Sequence, residues 1–85
     1  MRLWNADGLV RIAYELARGS QVRLDVFDLR GRRVRQLMRG YQDGGSQQTV
    51  WDRNDDAGRS VASGVYFVRL DTELETSNGR VVVIR

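Results

Sequence analysis

The sequence contains no cysteine, no histidine, no proline and no lysine, and each absence narrows what the chain can do. Without cysteine, neither a disulfide framework nor a thiolate metal site can stabilise the fold, and the redox compartment leaves no mark. Without histidine the chain lacks the commonest general base, the commonest metal ligand and the usual switch near neutral pH. Ser20, Ser46, Ser60, Ser63 and Ser77 therefore have no imidazole to activate them, and the missing lysine removes the Ser-Lys alternative. Carboxylate pairs are present, but they fall in turns of a chain too short to build a deep pocket. A non-catalytic protein is expected. No apolar run approaches the roughly eighteen residues that span a bilayer, so no membrane insertion is expected. Met1-Arg2-Leu3-Trp4-Asn5 is followed by polar residues and not by the apolar core of a cleavable signal peptide.

Eighty-five residues correspond to one domain over 1–85. A chain of this length buries only about 60 to 65 per cent of the surface that its unfolded form exposes. The core must be small, and strand pairing and apolar packing must hold it. All fourteen basic residues are arginine, a bias that GC-rich coding or a hot or salty habitat explains as readily as function. They outnumber eleven acidic residues to give +3, and the two signs are interleaved as on a solvated surface. The exception is Arg30-Gly31-Arg32-Arg33-Val34-Arg35 with Arg39 close behind, a basic cluster of the kind that meets phosphate, a lipid headgroup or an acidic protein face. No run of aromatics accompanies it to stack on bases, so no nucleic-acid partner is expected.

Period-two alternation dominates and predicts half-buried strands. Leu9–Leu16 reads as the first strand, with Val10, Ile12, Tyr14 and Leu16 on one face. The second spans about Gln21 to Asp28, its Arg23-Asp25-Phe27 face largely wet. Asp28-Leu29-Arg30-Gly31-Arg32 has the chemistry of a tight hairpin, with Gly31 at positive φ. The third strand runs from Arg33 to about Gln42. Val34, Leu37 and Met38 sit at i, i+3, i+4, so a short amphipathic helix over 33–40 stays open as an alternative. After a turn at Asp43-Gly44-Gly45-Ser46, Gln47–Asp52 forms the fourth strand, and Trp51 is its core anchor. A loop over Asp52–Arg59, a brief strand at Ser60–Ala62, a long one at Gly64–Asp71, a polar hairpin loop at Glu73–Gly79 and a last strand at Arg80–Arg85 complete the chain. No internal repeat or low-complexity segment is evident. Seven short strands at this spacing predict an all-β, immunoglobulin-like antiparallel β-sandwich, with arginines guarding edges that proline often guards.

Three motifs are candidate sites. Asp52, Asn54 and Asp56 alternate ahead of Gly58 as ligands do at the start of a calcium loop, but Ala57 and Ser63 stand where an EF-hand requires Gly and Glu. The other reading makes them Asx-turn acceptors for loop N–H groups, with no cofactor. Gly64-Val65-Tyr66 is either a recognition motif or the strand start and core tyrosine that any sandwich needs. Trp4, Tyr41 and Trp51 are the only aromatics available for a carbohydrate-stacking platform, if they share an exposed face.

The succession Val22-x-Leu24-x-Val26-Phe27-Asp28-x-x-Gly31-Arg32-x-Val34-Arg35-x-Leu37, then Gly45, Trp51-Asp52, Asp55-Asp56-Ala57-Gly58-Arg59-x-Val61-Ala62-Ser63-Gly64-Val65-Tyr66-Phe67 resembles the immunoglobulin-like module of flagellar hook-capping proteins. Closely similar modules serve as C-terminal sorting domains of type IX secretion cargo. The resemblance covers about residues 9–85. The segment before the first strand, Trp4-Asn5-Ala6-Asp7-Gly8, departs from the pattern in having no proline, and the last strand is flanked by arginines in place of the usual lysines. The resemblance implies a module at the C-terminus of a larger secreted protein, with a cargo domain N-terminal to it. That protein would pass through the periplasm to the cell surface, be recognised by an outer-membrane translocon or surface-attachment machinery, and be monomeric. Recognition would fall to the last strand, Arg80, Val81, Val82, Val83, Ile84 and Arg85, together with Gly64 and Tyr66. A structural module that packs beside other domains, as in hook-cap assembly or as a spacer, is the alternative.

Overall fold

The computed structural model describes residues 1–85 as seven antiparallel strands. These are β1 (Arg2–Ala6), β2 (Leu9–Leu16), β3 (Ser20–Phe27), β4 (Arg33–Gln42), β5 (Gly45–Trp51), β6 (Gly64–Asp71) and β7 (Thr76–Val83). They form two sheets in the orders β1-β2-β5 and β4-β3-β6-β7, which face each other as an immunoglobulin-like sandwich. Alternation decides which side chains meet between the sheets: Val10, Ile12, Tyr14 and Leu16 from β2 face Val22, Leu24 and Val26 from β3 and Tyr66, Val68 and Leu70 from β6. Trp51 is fully buried, and its indole meets the Tyr66 ring edge-on with centroids 5.3 Å apart.

The strand count agrees with the sequence reading, but the set differs. Arg2–Ala6 is a strand, pairing with Leu9–Ala13 through a turn in which Asp7 and Gly8 both have positive φ. Its five residues alternate too weakly to stand out. Ser60–Ala62 is not a strand; only a single bridge joins Asn54 to Ser60. The fourth expected strand begins at Gly45, not Gln47. The last begins at Thr76 and stops at Val83, so the polar stretch read as a hairpin loop is largely paired strand, and Ile84 and Arg85 lie beyond it. Polar residues pair there because Asn78 and Arg80 face outward, while Gly79 leaves room for Leu3 from the facing sheet. A Cβ on Gly79 would stand 2.5 Å from Leu3 Cδ1. On β3 the outer face is not wet throughout, since Asp25 is buried.

Residues 33–42 are strand, and the helix-like spacing has a specific cause. The β3–β4 register slips twice, between Leu24 and Asp25 and between Val26 and Phe27, so that Leu37 and Val34 stand opposite no residue. Each bulge reverses the in/out alternation of β4. Val34, Leu37 and Met38 can then all pack on the core at intervals of three and one.

Candidate recognition surface

One end of the sandwich gathers the loop over 28–32, the long loop between β5 and β6, and the chain end at Arg85. The first two share a construction. Asp28 Oδ1 accepts the N–H of Arg30 (2.9 Å) and of Arg32 (3.0 Å); Asp55 Oδ1 accepts those of Ala57 (3.0 Å) and Arg59 (2.9 Å). In both loops the aspartate N–H donates to the arginine carbonyl four residues on, and the glycine N–H donates back to the aspartate carbonyl. Gly31 and Gly58 take φ of 81° and 82°, a conformation that a Cβ disfavours. The repeated pattern Asp-x-x-Gly-Arg is visible in the sequence at 28–32 and 55–59, and it is the signal that a search for longer repeats passes over.

The two loops and Tyr66 border an open cleft of about 530 Å³. The Tyr66 hydroxyl donates to the Ala62 carbonyl at 2.7 Å, the link back to the preceding corner by which sandwich tyrosines brace a strand start. Burial, and then the nearby Asp28 carboxylate, raise its pKa. Asp28 itself is held below the ordinary carboxylate value by the Arg32 N–H, with Arg30 N–H and the Arg32 guanidinium adding to the effect.

The calcium candidates lie in this loop, and their oxygens face donors. Asp52 Oδ1 accepts the Asn54 N–H (3.0 Å) and a guanidinium N–H from Arg35 (2.9 Å). Asp56 Oδ1 accepts the Gln36 N–H, and the Asp56 N–H donates to the Val34 carbonyl, both at 2.9 Å, so this one residue closes the outer edge of β4. Asn54 offers its carbonyl to the Trp51 indole at 2.9 Å. The three side chains do not converge with other carboxylates into a metal-ligand group.

The last-strand candidates divide by role. Val81 and Val83 are core; Val82 and Arg80 face outward, and Ile84 is exposed past the strand end. β7 lies at a sheet edge, but it is paired with β6 along its whole length, and its Val82 carbonyl also accepts from the Asn5 side-chain amide (3.0 Å). Arg85 is tied down: its backbone N–H donates to Ser63 Oγ (2.9 Å), and its guanidinium to the carbonyls of Val61 (2.6 Å) and Arg53 (2.9 Å). Gly64 opens β6 beside the buried Tyr66. The basic cluster disperses in the same way, with Arg32, Arg33 and Arg35 paired to Asp28, Asp56 and Asp52, and Arg30 and Arg39 in no ion pair. Trp51 is inside, while Trp4 and Tyr41 belong to different sheets, so the three aromatics form no common platform.

Residues 1–80 match the model of the FlgD Ig-like domain. The chain belongs to that family. FlgD Ig-like domains are non-catalytic structural modules. Among solved structures, this member is similar to FlgD from P. aeruginosa, with a TM-score of 0.72 and 23% identity over 95% of this chain and 65% of that one. It is also similar to PorZ of Porphyromonas gingivalis, described as an essential bacterial surface component of the type-IX secretion system, with a TM-score of 0.63 and 25% identity over 89% of this chain and 9% of that one. The chain thus spans under two thirds of the first and a small part of the second. No curated protein matches it.

Proposed function

We propose that this FlgD Ig-like domain is a packing module, a rigid spacer or docking unit that joins neighbouring domains or subunits of an extracytoplasmic protein. The observation that carries this reading is the placement of large apolar side chains outside a filled core. Trp4 and Val50 flank Arg11 on the outer face of one sheet, and Val82 and Leu29 stand 47% and 71% exposed on the other. Apolar side chains grouped on both faces of a small domain are what a partner covers. The loop carboxylates, by contrast, are spent on the chain's own N–H and guanidinium groups.

Sorting by type IX machinery is the second reading, and the likeness to PorZ together with the edge position of β7 favours it. An edge strand can accept another strand through main-chain hydrogen bonds. Deleting Arg80–Arg85 would remove Val81 and Val83 from the core, so it tests folding before sorting. The discriminating experiment puts residues 1–85 at the C-terminus of a fluorescent protein behind a standard export signal, in a bacterium with type IX machinery. Folded reporter retained in the periplasm is the result expected of a packing module. Reporter at the surface or in the medium overturns it in favour of sorting.

A further inference from the structure

The outer face of the β4-β3-β6-β7 sheet divides into an apolar end and a basic remainder. Phe27 pairs with Phe67, and Val65 with Val82, which places two apolar rows side by side. The Phe27–Phe67 row is terminated on both sides by arginine, Arg33 on β4 and Arg80 on β7. In the next row Arg69 stands between Asp25 and Asn78. Leu29, on the hairpin that follows β3, overhangs the rows. Phe27, Leu29, Phe67, Arg69 and Asn78 line an open recess of about 300 Å³, bordered by Asp28 and Gly31 of the hairpin turn.

Asp25, beside Arg69, is a buried carboxylate in no ion pair, but the exposed charge that is free on this face is positive. The Asp28 carboxylate is occupied by Arg30 N–H, Arg32 N–H and the Arg32 guanidinium, and Asp71 by Arg69, Arg23 and Thr76. Arg80 and Arg30 form no ion pair within the chain. On the same face, Arg23 and Arg39 stand directly opposite each other across the β3–β4 pair; Asp71 pairs with Arg23 and leaves Arg39 in no ion pair. Unpaired guanidinium groups around a recessed apolar slot recognise carboxylates on either side of an apolar side chain.

We propose that this face docks an acidic polypeptide segment, one of whose aliphatic or aromatic side chains fills the Phe27–Leu29–Phe67 recess while flanking carboxylates pair with Arg80 and Arg30. The occupant is a polypeptide and not a lipid surface, because Phe27 and Phe67 are half-buried beside Arg69 and Asn78, and the single projecting side chain of the recess, Leu29, makes no protruding ridge. Asn78 adds an amide that can bond a peptide group. The assignment rests on the packing-module reading and specifies the surface through which packing occurs.

The test titrates the isotopically labelled chain with two short synthetic peptides, one alternating glutamate with leucine and one alternating lysine with leucine, and follows backbone amide shifts. Saturable shifts centred on Phe27, Leu29, Phe67, Asn78 and Arg80, with the glutamate peptide only, are expected. Leu29→Ser, at a site 71% exposed and removable without disturbing the core, should weaken binding about tenfold. Arg80→Glu should weaken the glutamate peptide by a similar factor and admit the lysine one. Gln48→Ala, exposed on β5 of the facing sheet, should leave the affinity unchanged. The proposal is overturned if neither peptide shifts these amides, if both do equally, or if vesicles rich in anionic phospholipid shift them and the glutamate peptide does not. Loss of peptide binding with a periplasmic reporter would remove the surface but leave the packing module. Export of the reporter would remove the module reading itself.

Discussion

Asp28 and Asp55 hold the same loop at two places in the chain, each with a single carboxylate oxygen that accepts the N–H groups of the residues two and four positions later. One copy closes the β3–β4 hairpin within a sheet. The other shapes the crossover between sheets, where Asp56 can then reach the outer edge of β4. The same local chemistry serves two topological tasks because it needs only five residues and one positive φ.

Asp28→Ala and Asp55→Ala should therefore destabilise the fold by similar, modest amounts, since each leaves two exposed backbone donors to water. Asn in either place keeps an acceptor oxygen and should cost less than half as much. Urea unfolding of the four variants checks this. A large difference between the two alanine variants would mean that one loop is held by something other than its carboxylate.

Gly79→Ala should lower stability because its Cβ would fall on Leu3 Cδ1. The clash is with a side chain, so Leu3→Ala in the same molecule should recover part of the loss. A double-mutant cycle by thermal unfolding should give a coupling of about 1 kcal/mol or more between two residues 76 positions apart in sequence. Additive losses would show that β1 does not cross β7 at this point.

Trp51 and Tyr66 test the centre of the sandwich. Tyr66→Phe removes only the hydrogen bond to the Ala62 carbonyl and should cost about 1 kcal/mol. Trp51→Ala empties the largest buried site and should cost about 3 to 5 kcal/mol, enough to unfold a domain this small at room temperature. Near-ultraviolet circular dichroism, which reads the fixed Trp51–Tyr66 geometry, should survive the first change and vanish with the second.

Acid should weaken the fold. The Arg32 N–H holds the pKa of Asp28 below its ordinary value, and the Thr76 hydroxyl, followed by Arg69 and Arg23, does the same for Asp71. Because both folded values lie below the unfolded one, the stability they contribute is complete above the ordinary carboxylate value of 3.8 and is lost as pH falls through the folded values. Thr76→Val should reduce the steepness of this loss. Tyr14 and Tyr66 act at the other extreme: burial raises both, so their contribution is complete below pH 10.0 and declines as pH rises past it. Melting temperatures from acid to alkali should fall at both ends.

Much of the fold was legible along the chain. Leu9–Leu16, Arg33–Gln42 and Gly64–Asp71 were bounded to the residue, and Gly31 was assigned its positive φ, because side-chain alternation and turn chemistry are local properties. The candidate surface was legible in part. Asp52 and Asp56 stood out as loop acceptors, but nothing local tells that Arg35 would turn inward to Asp52, since that follows from two register slips against β3. Arg85 likewise looked like a strand flank and proved to clamp the 53–63 loop.

Alternating apolar residues and Asp-Gly turns were thus sufficient for an all-β sandwich, a buried Trp51 and the FlgD Ig-like pattern, each a matter of residues close together in the chain. Whether a polar stretch such as Thr76–Arg80 becomes strand, which carboxylates stay free and which arginines face outward unpaired were decided only when distant strands met. Backbone pairing and charge neutralisation depend on neighbours that the linear order does not name.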